Sequence, residues 1–119
     1  MTQQEKFQLI IKSLDLKKGE DIQALKVGDL TILADYFIIV NGTGNTHART
    51  LADEVEFRLA QENIEPLRRE SDTSNTWIIL DYGDIMVHIF AKAERKFYNL
   101  DGLWADGTPV DISGLLVKE

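Results

Sequence analysis

A single α/β domain, built on a mixed sheet of about five strands with flanking helices, is the fold class the sequence predicts. Three observations carry it. Apolar runs at Tyr36 to Val40, Trp77 to Leu80 and Ile85 to Phe90 present apolar side chains to both faces of a strand, as strands covered on two sides do. Two other stretches, Phe7 to Leu14 and Ala48 to Leu59, repeat their apolar residues at helical spacing. Between them lie short segments of turn-forming residues, so strands and helices alternate in one layered unit.

In chain order, Thr2 followed by Glu5 has capping-box spacing, and Phe7, Ile10, Ile11 and Leu14 then mark an amphipathic helix that Lys17, Lys18 and Gly19 end. Asp21 to Leu25 is a short strand candidate, and Val27 to Leu33 is a turn-rich connection. Tyr36 to Val40 is a strand that runs into Asn41-Gly42-Thr43-Gly44-Asn45, a loop of turn formers. Ala48, Leu51, Ala52, Val55 and Leu59 define a second helix that stops near Asn63. Glu65 to Glu70, with Pro66 near its start and charges at Arg68 and Arg69, reads as an exposed edge strand. Ser71 to Thr76 is a polar loop.

Trp77 to Leu80 and Ile85 to Phe90 then form a β-hairpin about Asp81-Tyr82-Gly83-Asp84, where Gly83 supplies a positive φ and the aspartates favour local turn bonds. A further helix is predicted from Ala93, with Arg95 and Tyr98 three apart on one face and Leu100, Leu103 and Trp104 following. Past Trp104 the composition shifts to Gly, Pro, Asp and Ser, with Leu115-Leu116-Val117 as an apolar clip.

At 119 residues and 44% hydrophobic content, one such domain buries roughly two-thirds of its unfolded surface. No apolar run approaches the roughly 20 residues needed to span a bilayer. The amino terminus lacks the plan of a secretion signal and there is no cysteine, so a cytoplasmic location is the simplest fit. Thirteen basic against twenty acidic residues give a formal charge of −7, which disfavours extensive nucleic-acid contact and favours basic protein surfaces.

Catalytic patterns are sparse. Gly42-Thr43-Gly44 between strand and helix could cradle a phosphate, but it lacks the third glycine of a dinucleotide fingerprint and the ending of a P-loop. Asp81 and Asp84 could clamp a metal, yet they stand at the two ends of a turn, so their side chains need not converge. His47 and His88 have no metal-ligand or triad neighbours, and His88 reads as a buried histidine bonded to backbone. No cofactor is predicted. The better functional material is aromatic and cationic: Trp77, Tyr82, Arg95, Tyr98 and Trp104 are residue types enriched at interface hot spots.

These residues together resemble a known family. Asp35 to Val40 before the Gly-Thr-Gly loop, Trp77 to Asp84 with Val87-His88-Ile89-Phe90, and Arg95, Tyr98 and Leu103-Trp104 resemble the Iojap family, the bacterial ribosomal silencing factors, from about Lys18 to Trp104. The chain departs at Ser71, where the family usually has glycine, and at Asp101, where it usually has glutamate. The resemblance implies a nucleotidyltransferase-like fold without catalytic carboxylates, in a protein that is not an enzyme. It also implies binding to the large ribosomal subunit at the fourteenth of its numbered proteins, on the face that meets the small subunit. Bound there, such a protein blocks subunit joining.

On that basis residues 1–104 are expected to form the silencing-factor domain and 105–119 a carboxyl-terminal tail. The partner surface is expected at Trp77, Asp81, Tyr82, Asp84, Arg95 and Tyr98. A homodimer off the ribosome stays open, and the alternative is a nucleotide-binding or nucleotidyl-transferring enzyme using Gly42 to Gly44 with Asp81 and Asp84.

Overall fold

The computed structural model describes residues 1–32, 34–72, 76–91 and 107–116. The first helix, α1 (Gln3–Leu16), begins at Thr2 with both bonds of the capping box: the Thr2 hydroxyl accepts from the Glu5 amide, and the Glu5 carboxylate accepts from the Thr2 amide. These bonds hold the Glu5 carboxyl below the usual range. The helix ends at Lys17, with Lys18 in the left-handed region at φ 61.

Strand β1 (Glu20–Lys26) follows, then β2 (Tyr36–Gly42) and helix α2 (Asn45–Ala60). A charged strand β3 (Arg68–Ser71) leads into the hairpin of β4 (Trp77–Asp81) and β5 (Ile85–Ala91). The hairpin turn has Gly83 at φ 88, and the Gly83 amide donates to Asp81 Oδ1 at 2.8 Å, the local bond that turn aspartates favour.

With a short last strand, β6 (Thr108–Pro109), the sheet order is β3-β4-β5-β2-β1-β6, with β2 and β5 parallel at the centre and every other pairing antiparallel. Both central strands are buried on both faces, which is what their unbroken apolar runs require. Strand β4 differs. Its burial alternates because only one face lies under the helices: Ile78 and Leu80 are buried there, while Trp77, Ile79 and Asp81 on the other face, beside the exposed edge strand β3, are only partly covered.

A sixth strand, β6 (Thr108–Pro109), pairs with β1, where the sequence predicts about five strands. Two residues are too few to show a period, so this strand has no signature in the sequence. The Val110 amide then donates to the Ala24 carbonyl at 2.9 Å, Ile112 enters the core, and a 3-10 turn at Ser113–Leu115 packs Leu115 and Leu116 against it. Residues 107–116 are therefore part of the same sheet and core.

The two faces of the sheet carry two apolar clusters. One joins Phe7, Ile10, Ile11 and Leu14 of α1 to Leu51, Val55 and Leu59 of α2 and to Ile38, Val40, Ile78, Leu80, Val87 and Ile89 of the sheet. Close approach of α2 depends on Gly42: a Cβ there would lie 2.8 Å from the Ala48 amide nitrogen and 3.2 Å from Ala48 Cα, with backbone on the other side that cannot yield. The second cluster, on the opposite face, holds Leu25, Val27, Ala34, Phe37, Ile39, Met86 and Phe90, with Trp77 and Ile79 packed against it.

Candidate functional site

Strand alternation sorts the predicted site residues by face. On β4, Trp77, Ile79 and Asp81 point away from α1 and α2, and the register places Glu70 beside Ile79 and Arg68 beside Asp81. One strand inward, Phe90 and His88 stand opposite Trp77 and Ile79. The result is an aromatic and aliphatic strip rimmed by charge. The Trp77 ring stacks on Phe90 at 5.4 Å and 18° and on His88 at 6.1 Å and 29°.

Charges on the rim are already paired. Arg68 Nε donates to Asp81 Oδ2 at 3.1 Å and Arg68 Nη1 to Glu70 Oε1 at 3.1 Å, so Asp81 meets a basic group of its own chain. Arg69, one residue on, points to the other face, where its guanidinium bridges Asp53 and Glu56 of α2 at 2.9 Å each. Burial works against that charge, but the bonds to Asp53 and Glu56 outweigh it and push the Arg69 pKa up. Arg68, Glu70 and Ile79 were not singled out from the sequence. The signal for them was the period of two along an edge strand and its neighbour.

Two expected residues do not join this strip. Tyr82 follows Asp81 and turns to the helix side, where it is 7% exposed within the first cluster, so it offers a partner almost no area. Its hydroxyl finds no bond among the described residues, and burial followed by the charges of Glu56 and Glu65 pushes the phenol pKa up. Asp84 faces α1: its Oδ1 lies 2.5 Å from Lys6 Nζ and its Oδ2 accepts from Gln3 Nε2 at 3.2 Å. The same Gln3 amide donates to Asp35 at 2.9 Å. This pair is partly covered, and Lys6→Met is expected to lower stability by about 0.5–1 kcal/mol, read from the urea midpoint. An unmoved midpoint would show that the contact contributes nothing. Arg95 and Tyr98, with Trp104 and the helix predicted from Ala93, lie outside the described residues.

The features that suggested an enzyme have other uses. Asp81 and Asp84 are held by different partners on different sides of the turn, Arg68 and Lys6, so they do not converge on one metal. Among the described residues, no group of three or more His, Asp or Glu is placed to hold a metal ion. In the Gly42-Thr43-Gly44 loop, the Thr43 amide donates to His47 Nδ1 at 2.8 Å, and the ring donates from Nε2 to the Lys17 carbonyl at 2.7 Å. His47 thus occupies an amide that a phosphate would need, and it ties the loop to the end of α1. Among the described residues, no helix is long and apolar enough to cross a membrane.

His88 corrects the expectation of a backbone bond. It is 5% exposed, and its Nδ1 accepts from the Trp77 indole Nε1 at 3.3 Å. The central strands spend their backbone groups on the ladder, so a side-chain donor on β4 is what the ring can reach. Burial depresses the His88 pKa to about 4.

Over residues 1–119 the sequence matches the family described as ribosomal silencing factor during starvation. The chain belongs to this family. It is 34% identical over 116 residues to the ribosomal silencing factor RsfS of Halalkalibacterium halodurans, covering 98% of this chain and 99% of that one. It is 32% identical over 112 residues to the RsfS of Bacillus subtilis, covering 94% and 95%. With the chloroplastic protein Iojap of Zea mays it shares 28% identity over 95 residues, 80% of this chain and 41% of the maize protein.

The fold agrees with solved structures of similar proteins. A crystal structure from Chromobacterium violaceum superposes with a TM-score of 0.84 at 32% identity, covering 88% of both chains. One from Bacillus halodurans gives 0.80 at 33% identity, covering 91% of this chain and 98% of that one.

Proposed function

We propose that this protein silences translation by binding the large ribosomal subunit at its fourteenth numbered protein and excluding the small subunit. The match to the silencing-factor family across residues 1–119 carries the reading. Charge supports it: a chain with a formal charge of −7 is attracted to the basic surfaces of ribosomal proteins and repelled by exposed RNA phosphates. The mechanism requires occupancy of the joining face and no bond chemistry, which suits a chain whose Asp81 and Asp84 are engaged in separate ion pairs. It acts in the cytoplasm, where the subunits are.

The contact strip in this reading is Trp77, Ile79 and Asp81 on β4, flanked by Arg68 and Glu70, and Arg95 and Tyr98 are kept as further proposed contacts. Trp77 supplies apolar area while its single N–H is bonded to His88, and the two acids at the rim outnumber Arg68, which leaves a negative balance toward a basic partner. The test is sucrose-gradient sedimentation with separated subunits. The protein should travel with the large subunit and lower the yield of joined particles. Equal association with both subunits, or undiminished joining, would sink the proposal.

A further inference from the structure

We propose that His88 is a positioning residue that fixes the Trp77 indole in one orientation on the sheet face; its bearing on ribosome binding rests on the docking role given to Trp77 above. Trp77 is partly exposed on β4, and an indole there has several rotamers open to it. Contacts to Phe90 and His88 restrict it. The ring lies 18° from parallel to Phe90 and 29° from parallel to His88, and its Nε1–H donates to His88 Nδ1. Stacking alone permits the indole to turn over with its N–H reversed. The hydrogen bond removes that freedom, because only one flip brings Nε1 to the imidazole.

The imidazole is itself held. Phe37 of β2 meets it edge-on at 4.8 Å and 61°, and it is 5% exposed, so it cannot turn to follow the indole. Accepting at Nδ1 requires the neutral ring with its proton on Nε2, and Nε2 finds no partner among the described residues. A leucine or phenylalanine at position 88 would fill this apolar place without leaving an unbonded N–H buried. The histidine therefore supplies something packing does not need, an acceptor for the one tryptophan on this face of β4. Preorganising an aromatic anchor improves binding by cutting the rotamer freedom lost on docking.

The experiment compares the parent with His88→Asn, whose side-chain oxygen can stand near the Nδ1 position, and with His88→Leu, which has no acceptor. Indole N–H signals of protein labelled with ¹⁵N-tryptophan report on the ring directly, with Trp104→Phe separating the two resonances. Large-subunit binding is measured on the same samples, corrected for folded fraction. In His88→Leu the Trp77 indole N–H should shift upfield and exchange with solvent roughly threefold to tenfold faster, while His88→Asn stays close to the parent. Large-subunit binding should follow the same order. Unchanged exchange in His88→Leu, or equal changes in both variants, would overturn the positioning role. A changed indole signal with unchanged binding would support His88 as the residue that holds the ring and would remove Trp77 from the docking surface.

Discussion

Lowering the pH from 7 to 4 is expected to cost the folded state about 3 kcal/mol through His88 alone. In the unfolded chain this imidazole takes up its proton near the ordinary histidine value of about 6.5, whereas burial holds it neutral in the fold down to about 4. Between those values the unfolded state binds more protons, so stability falls as pH falls. The contribution is fully present above about pH 6.5 and is lost as the pH drops to the folded value.

The magnitude follows from roughly 1.4 kcal/mol for each pH unit of that interval. Carboxylates held below their usual range, such as Asp72 beside Thr76, keep their contribution through this interval and lose it only at still lower pH. They are common to the parent and to a His88→Asn variant. Urea denaturation of both proteins at several pH values therefore isolates the histidine: the parent should lose its advantage toward pH 4, and the variant should show a shallower slope. Parallel slopes would mean that His88 titrates alike in both states.

The architecture was legible because its central strands obey one rule. Tyr36 to Val40 and Ile85 to Phe90 are apolar throughout since both faces are buried, and the capping box at Thr2 and the turn at Gly83 marked boundaries by local chemistry. The surface was less legible. Grouping Trp77 to Asp84 as one patch overlooked the alternation of a strand, which sends Asp81 outward and Tyr82 into the helix side.

Longer-range pairings left no trace in sequence. Lys6 and Asp84 stand 78 positions apart, and nothing local in either stretch announces their contact. Arg68 and Arg69 are adjacent charges on an edge strand, yet the pleat separates the two cations, one to the strip and one to α2. Neighbours in sequence are the residues a strand drives furthest apart in function. That same alternation makes the docking proposal sharply testable, because it assigns adjacent residues opposite outcomes.

Trp77→Ala is expected to weaken large-subunit binding by roughly thirtyfold or more, the consequence of losing about 2 kcal/mol or more at a central aromatic. Tyr82→Phe should leave binding unchanged. The contrast rests on faces: Trp77 lies on the outer strip beside Ile79 and Asp81, while the Tyr82 ring is buried with a hydroxyl that bonds nothing among the described residues. Removing that hydroxyl relieves an unsatisfied group, so Tyr82→Phe should fold at least as stably as the parent. Trp77→Ala also gives up its stacking on Phe90, and its melting temperature will fall. Binding is therefore compared well below the melting transition, where both variants are folded, and Arg95→Ala and Tyr98→Ala are included as the remaining proposed contacts. Loss of binding in Trp77→Ala with retention in Tyr82→Phe places the contact on the outer face. The reverse pattern would move the contact to the helix side and end the assignment made to this strip.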